Sequence, residues 1–146
     1  MRGINLTRVM LGGLLAGMVI NVGETVFNAF LFADQLNAAV AEVNVPRVTG
    51  GGVAAFFLIG FGLGIAGVWT YAAIRPRFGP GVGTAMWAGA AVWGMSYAYM
   101  AATCAALGLF PPRILVMGAA WGLPEIMAAT VAGASIYQEG RVNVTV

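Results

Sequence analysis

Lysine and histidine are absent from this 146-residue chain, cysteine occurs once, and charged residues make up only 8% of it. Without lysine there is no Schiff-base amine, and without histidine there is neither an imidazole base nor the commonest metal ligand. Cys104 is alone, which rules out an internal disulfide and a multi-cysteine metal site; in its apolar run it reads as a small packing residue. A soluble domain carries roughly 25% charged residues, so this composition excludes that class. The net charge of +2 comes from seven arginines placed near the ends of apolar runs. That pattern speaks of membrane topology rather than of nucleic-acid binding.

Hydrophobic residues supply 60% of the chain, and the mean hydropathy is +0.88. Four apolar stretches, 9–32, 53–74, 82–107 and 114–137, each reach the length that crosses a bilayer as a helix. They predict one all-α membrane domain over 1–146, a four-transmembrane-helix bundle with no room for a soluble domain. The first stretch follows Arg2 and Arg8 as a signal peptide would, but it exceeds a signal's core of ~7–15 residues and shows no small-residue cleavage site. It reads as an uncleaved span.

The loop 33–52 holds the one substantial connection. Asp34 is placed to cap a short surface helix in which Leu36, Val40 and Val43 share a face, with Pro46 as its stop and Gly50-Gly51-Gly52 loosening the entry to the next span. Arg75-Pro76-Arg77-Phe78-Gly79-Pro80-Gly81 reads as a tight basic turn. Gly62-x-Gly64-x-x-Gly67 matches a dinucleotide fingerprint only in form, since no strand precedes it. The third span is aromatic, with Trp87, Trp93, Tyr97 and Tyr99; Trp93 and Tyr97, four apart, read as helix packing or as the lining of a cavity. Ala66-Gly67-x-x-x-Tyr71-x-x-x-Arg75 matches Ala132-Gly133-x-x-x-Tyr137-x-x-x-Arg141, either a parallel repeat of two hairpins or the same membrane surface marked twice.

Small residues form stripes at helical spacing: Gly13 and Gly17 in the first span, Gly60, Gly64 and Gly67 in the second, and Gly118, Gly122 and Gly133 in the fourth. Such stripes let helix backbones approach closely. Arg2, Arg8, Arg75, Arg77 and Arg141 fall at one end of a four-span arrangement, Arg47 and Arg113 at the other. Both termini are therefore expected in the cytoplasm, with the chain a multi-pass protein of a bacterial inner membrane.

Two carboxyl groups cannot sit in loops. Glu24 lies in the first span with Asn21, Thr25 and Asn28 on or beside its stripe, and Glu125 lies near the middle of the fourth, after Pro124. At ~1.5 Å per residue their depths differ by about 5 Å, short enough to meet if the helices are neighbours. No arginine shares their depth, so at least one carboxyl is expected to be neutral, or a cation or a partner's basic group must compensate. A neutral Glu24 bonded to Asn21, Thr25 or Asn28 is the plainest reading. The alternatives are a proton or cation site and a docking point for a partner chain or cofactor. Nothing in the pattern specifies a cofactor, two carboxylates with amides make a weak metal set, and no catalytic constellation is present.

Leu11-Gly12-Gly13-Leu14-Leu15-Ala16-Gly17, Asn21-x-Gly23-Glu24, and Tyr71-Ala72-Ala73-Ile74-Arg75-Pro76-Arg77-Phe78-Gly79-Pro80-Gly81 together give the chain a resemblance to a group of small bacterial four-span membrane proteins. That resemblance implies a fold and no named activity. The chain is also similar to the small multidrug resistance transporters, which have four short spans and a membrane glutamate in the first. Those transporters use that carboxylate alternately for a proton and a cationic drug. Here the glutamate sits further along its helix, the first loop is longer and a second glutamate appears, so only Glu24 carries over. Two functions are expected on this footing: a non-catalytic scaffold or accessory subunit of a larger membrane assembly, with other subunits or a second copy as partners, or a small proton- or cation-coupled transporter using Glu24.

Overall fold

Asn5 opens the first helix. Its side-chain oxygen accepts the Arg8 backbone N–H at 3.2 Å and so satisfies one of the free donors of the first turn. In the computed structural model, which describes residues 3–43 and 48–139, helix α1 (Leu6–Val26) then runs into one π-helical turn (Phe27–Leu31). Phe32 leaves helical geometry (φ −129°, ψ 19°) and turns the chain into α2 (Ala33–Glu42). The remaining helices are α3 (Gly50–Phe78), α4 (Val82–Trp93), a π-helical segment (Gly94–Ala98), α5 (Tyr99–Ala106) and α6 (Pro112–Ser135). Among the described residues there is no strand.

Three helices are long and apolar enough to cross a membrane: Leu6–Leu31, Gly50–Phe78 and Pro112–Ser135. The rod made by α4, its π segment and α5 is continuous over 82–106 and carries Trp87, Trp93, Tyr97 and Tyr99.

Helices α1 and α3 make the most extensive contact, in antiparallel register. A Cβ at Gly13 would strike Ile65 and one at Gly17 would strike Phe61, each 2.6 Å from the backbone, while the Asn21 amide donates to the Phe57 carbonyl at 3.2 Å. Each step of four along α1 thus meets a step of four back along α3, the repeat that keeps one face of each helix in contact. Helix α6 packs on both α1 and α4, α4 packs on α3, and α3 meets α6 across the short diagonal. The shared interior is aliphatic and small: Val9, Ala16, Ile20, Val68, Ala88, Ile126 and Ala129 are buried together.

The predicted packing glycines sort by what surrounds them. Gly13, Gly17, Gly60, Gly64, Gly67, Gly122 and Gly133 each face an atom that a Cβ would overlap; for Gly64 that atom is in the Gly17 backbone, and for Gly133 it includes the Gly12 carbonyl. Gly118 faces open space, so the stripe of α6 begins at Gly122. Gly12 and Gly89 pack as closely but were outside the predicted stripes.

Several boundaries differ from the sequence expectation. Asp34 lies inside the first turn of α2 instead of capping it, where it still faces the positive end of the helix dipole. Helix α2 ends at Glu42, and Pro46 lies outside the described residues. Gly50, Gly51 and Gly52 are the first turn of α3 instead of a loosened entry. Helix α3 also continues through Arg75-Pro76-Arg77-Phe78, because a proline in a last turn loses one bond without ending the turns already formed before it. The reversal is therefore confined to Gly79-Pro80-Gly81, with both glycines at positive φ (84° and 139°) and the Thr84 hydroxyl donating to the Gly79 carbonyl at 2.8 Å. The two tyrosines of the apparent repeat, Tyr71 and Tyr137, meet edge to face with ring centroids 6.0 Å apart; Arg141, its last element, lies outside the described residues.

Candidate functional site: a carboxyl–tyrosine–carboxyl cluster

Helix α1 delivers Glu24 to the bundle interior from its last full turn, and Asn28, one turn on, fixes it. The Asn28 amide donates to the Glu24 carboxyl at 2.7 Å and to the Glu24 backbone carbonyl at 2.7 Å. That backbone contact helps to hold the chain where the helix widens into its π turn, since one extra residue per turn leaves carbonyls without regular partners. Helix α6 delivers Glu125, which is buried (8% exposed). Its closest approach to α1 is at Gly23, where a Cβ would overlap the Glu125 carboxyl. Glycine there is what lets the second carboxyl reach α1.

Between the two acids stands Tyr97. Its ring lies over Gly122, which also has to lack a Cβ, and its hydroxyl donates to Glu24 Oε1 in a very short hydrogen bond. The same hydroxyl oxygen is 3.4 Å from Glu125 Oε2. Trp121, one helical turn before Glu125, donates its indole N–H to Glu125 Oε1 at 3.3 Å. The Trp121 ring packs at a tilt against Phe27 (5.6 Å between centroids), and Phe27 likewise against Phe32 (4.7 Å), so the π turn of α1 forms an aromatic wall beside the acids. Tyr97 itself sits in the π segment Gly94–Ala98. Both π segments thus carry a residue of this cluster, in keeping with the tendency of π bulges to occur at functional positions.

The two expected carboxyls, Glu24 and Glu125, meet through Tyr97, and Asn28 joins them. Asn21 and Thr25 do not join them. Asn21 is turned to α3, with its amide on the Phe57 carbonyl beside Gly60, and the Thr25 hydroxyl bonds back to the Asn21 carbonyl at 2.7 Å. Trp93, which the spacing paired with Tyr97, instead donates to the Ala119 carbonyl at 2.8 Å and ties α4 to α6. Sequence reasoning read Tyr97 as packing or as the lining of a cavity, gave Gly23 no packing role and passed over Trp121. The signal for Trp121 was present: a polar N–H four residues before Glu125 lies on the same helix face.

Depth and donor count define what the cluster can do. Measured along their helical rods at ~1.5 Å per residue, Glu24 lies about 8 Å from the middle of 6–31, Tyr97 about 4 Å from the middle of 82–106 on the same side, and Glu125 about 2 Å past the middle of 112–135. The three groups descend from one half of the bundle to its centre. A phenol has a single proton to donate, and here that proton goes to Glu24. The 3.4 Å contact to Glu125 is then lone pair against lone pair unless Glu125 brings its own proton. Glu24 accepts from Asn28 and Tyr97, whereas Glu125, more buried, has the Trp121 N–H. Comparison with family models, curated proteins and solved structures finds no match to this chain, so the functional reading rests on this geometry.

Proposed function

We propose that the chain is a small proton- or cation-coupled membrane carrier whose working site is Glu125–Tyr97–Glu24. The observation that carries the reading is the Tyr97 hydroxyl placed between two carboxyls in the bundle interior. Three groups, each able to donate or accept, form one line: a proton on Glu125 passes to the Tyr97 oxygen as the Tyr97 proton passes to Glu24. A cation of matching charge between the acids replaces that proton. The half of the bundle beyond Glu125 is packed with the buried side chains of Ile126, Ala129, Val68 and Thr130. Exchange in this conformation is therefore through the Glu24 and Asn28 end, and Asn28 is exposed. The similarity to small multidrug resistance transporters contributes Glu24 alone.

On this reading the rod 82–106 is the fourth crossing, since at ~1.5 Å per residue it spans about 37 Å and it is packed against α3 and α6. Arg8, Arg75 and Arg77 then mark the cytoplasmic end of a bacterial inner-membrane protein. Cysteines substituted singly at Arg77 and Val144 in a Cys104-free background should resist an impermeant thiol reagent added to intact cells. Labelling of either reverses the orientation.

Infrared difference spectra across a pH titration test the site. The protonated-carboxyl band present at neutral pH should vanish in Glu125→Gln and persist in Glu24→Gln. Ionised carboxylates at both positions under those conditions would remove the proton-carrying role.

The accessory-subunit reading retains one observation in its favour. Thr25 and Asn28 are polar and exposed on a face of α1 that this chain leaves uncovered. It forecasts a stoichiometric larger assembly on gentle purification, whereas the carrier reading forecasts the chain alone or as a few copies, releasing protons when an organic cation binds.

A further inference from the structure

At the opposite end of the bundle the chain holds a cation two of whose nitrogens are buried without a hydrogen-bond acceptor. Arg75, in the last turn of α3, lies against the faces of two tyrosines, 5.9 Å from the Tyr71 centroid and 5.6 Å from that of Tyr137. Its Nε and Nη1 atoms are buried and make no hydrogen bond. The carboxyl nearest to Nε, that of Glu139, stands at 3.8 Å, an attraction between charges but too long for a hydrogen bond. A guanidinium presents its N–H groups as a planar fork shaped for two oxygens of one anion, and leaving such donors unmet while buried is costly.

The surroundings hold that fork in place. The Tyr71 hydroxyl oxygen accepts the Gly81 N–H at 3.4 Å, which ties the ring to the α3–α4 turn, and the Tyr137 hydroxyl oxygen accepts the Asn5 N–H at 3.4 Å, which ties the other ring to the start of α1. Each phenol has a proton left to donate outward. Four parts of the chain (the ends of α3 and α6, the turn, and the start of α1) therefore converge on one oriented cation. Arg8 and Arg77 stand on the same end of the bundle, against Glu139 as the one acid described there. The local field favours an anion.

We propose that Arg75, flanked by Tyr71 and Tyr137, is a binding site for a phosphate group, supplied by the headgroup of an anionic phospholipid. Phosphate has the oxygens to accept from the end-on edge of the guanidinium, where Nη1 has no acceptor, and from a phenol together. The lipid is the favoured source because Arg75 lies at the end of an apolar helix of membrane-spanning length, the depth at which headgroup phosphates lie. An acyl chain would lie along the exposed apolar side chains of α3.

Native mass spectrometry of the full-length protein in a mild detergent, titrated with phosphatidylglycerol, tests this. The wild type should retain one lipid through gentle activation. Arg75→Gln should bind it about tenfold more weakly, as expected for loss of a two-pronged charged contact. The exposed-neighbour control, Arg77→Gln, should bind as the wild type does. Arg75→Lys keeps the charge but not the fork, and should fall between the two. A parallel arm uses inorganic phosphate as competitor. Displacement of the lipid only at high, non-physiological phosphate supports the lipid as ligand, whereas saturable binding of phosphate with no preference for the lipid overturns the lipid assignment. Should Arg75→Gln fail to fold, thermal melting of the wild type decides: stabilisation by phosphatidylglycerol but not by an uncharged diacylglycerol supports the site. Equal lipid retention in Arg75→Gln and wild type, or equal stabilisation by both lipids, overturns it. None of these outcomes depends on the proton-carrying role of Glu24 and Glu125.

Discussion

Two polar clusters in this bundle meet the same low-dielectric surroundings in opposite ways. At Glu24, Tyr97 and Glu125, five polar groups from three helices answer one another: Asn28 and Tyr97 serve Glu24, and Trp121 serves Glu125. At Arg75, two ring faces orient the cation and a carboxyl stands near, yet two buried N–H atoms remain without an acceptor. A cluster whose members satisfy one another can only exchange something small, such as a proton, without coming apart. A cluster with oriented, unanswered donors calls for a ligand from outside the chain. On the two proposals above, the difference separates a site that works on its own protons from one that holds a foreign group.

The largest effect should come from removing the frame that positions both clusters. Gly64→Leu drives a side chain into the backbone at Gly17 and separates α1 from α3. The cost should be at least about 3 kcal/mol, beyond the usual 1–3 kcal/mol of core overpacking, because backbone cannot swing aside as a side chain can. Thermal melts in detergent should show loss of the folded state, and Gly17→Leu should match it. Gly118→Leu, entering open space, should melt within a degree or two of the wild type. Equal melts for Gly64→Leu and Gly118→Leu would break the interface described here.

Next in size is the contrast between the clusters themselves. Glu125→Leu removes the acceptor of Trp121 and a neighbour of Tyr97, leaving a buried donor unmet; the loss should be about 1–3 kcal/mol. Glu125→Gln keeps an acceptor oxygen and should cost less than half of that. Arg75→Gln breaks no hydrogen bond of Nε or Nη1. Measured without anionic lipid, it should lose the two ring contacts and the 3.8 Å ion pair with Glu139, together about 1 kcal/mol. If Arg75→Gln proves as damaging as Glu125→Leu in lipid-free detergent, the open-cluster description fails. Tyr97→Phe lies between them. The ring stays over Gly122 while the bridging proton is lost, so folding should survive with a loss of about 1 kcal/mol and proton exchange between the two acids should stop.

Much of this contrast was legible in the amino-acid sequence, and what was not has a physical reason. Apolar runs showed the helices because a bilayer-length stretch of Leu, Val, Ala and Gly has few other uses. The polar stripe of α1 and the lone Glu125 stood out because carboxyls in such runs are rare. Rise per residue put the two acids about 5 Å apart in depth, against about 10 Å along the observed helical rods, because the helices start and end elsewhere than the apolar runs. Which helices are neighbours did not follow, and that decides whether the acids meet. Tyr97 was hidden because an aromatic in an apolar helix has the same pattern whether its polar atom packs idly or meets an acid, whereas Trp121 was marked by its place one turn before Glu125. Gly23 was hidden because its neighbour, Glu125, is far away in sequence. At the turn, proline and glycine spacing suggested a longer reversal than forms, since Pro76 is tolerated in the last turn of α3.

Trp121→Phe should have the smallest effect and sharpens the comparison most finely. The ring that packs against Phe27 is retained in large part, so the aromatic wall between α6 and the π turn of α1 stays filled. What disappears is the 3.3 Å N–H contact to Glu125 Oε1. A contact that long contributes little in itself, and side-chain hydrogen bonds within membrane bundles average ~0.6 kcal/mol. The melt should therefore move by about that amount. The chemical consequence should be distinct from the energetic one. Trp121 is the N–H donor that steadies Glu125 when its proton has left. Without it the acid holds the proton more firmly, and the protonated-carboxyl band should persist to higher pH than in the wild type. Trp121→Leu, which also removes the packed ring, should reproduce the spectral shift and add a larger stability loss. A spectral shift confined to the leucine variant would assign Trp121 to packing alone and leave Tyr97 as the one partner that governs the Glu125 proton.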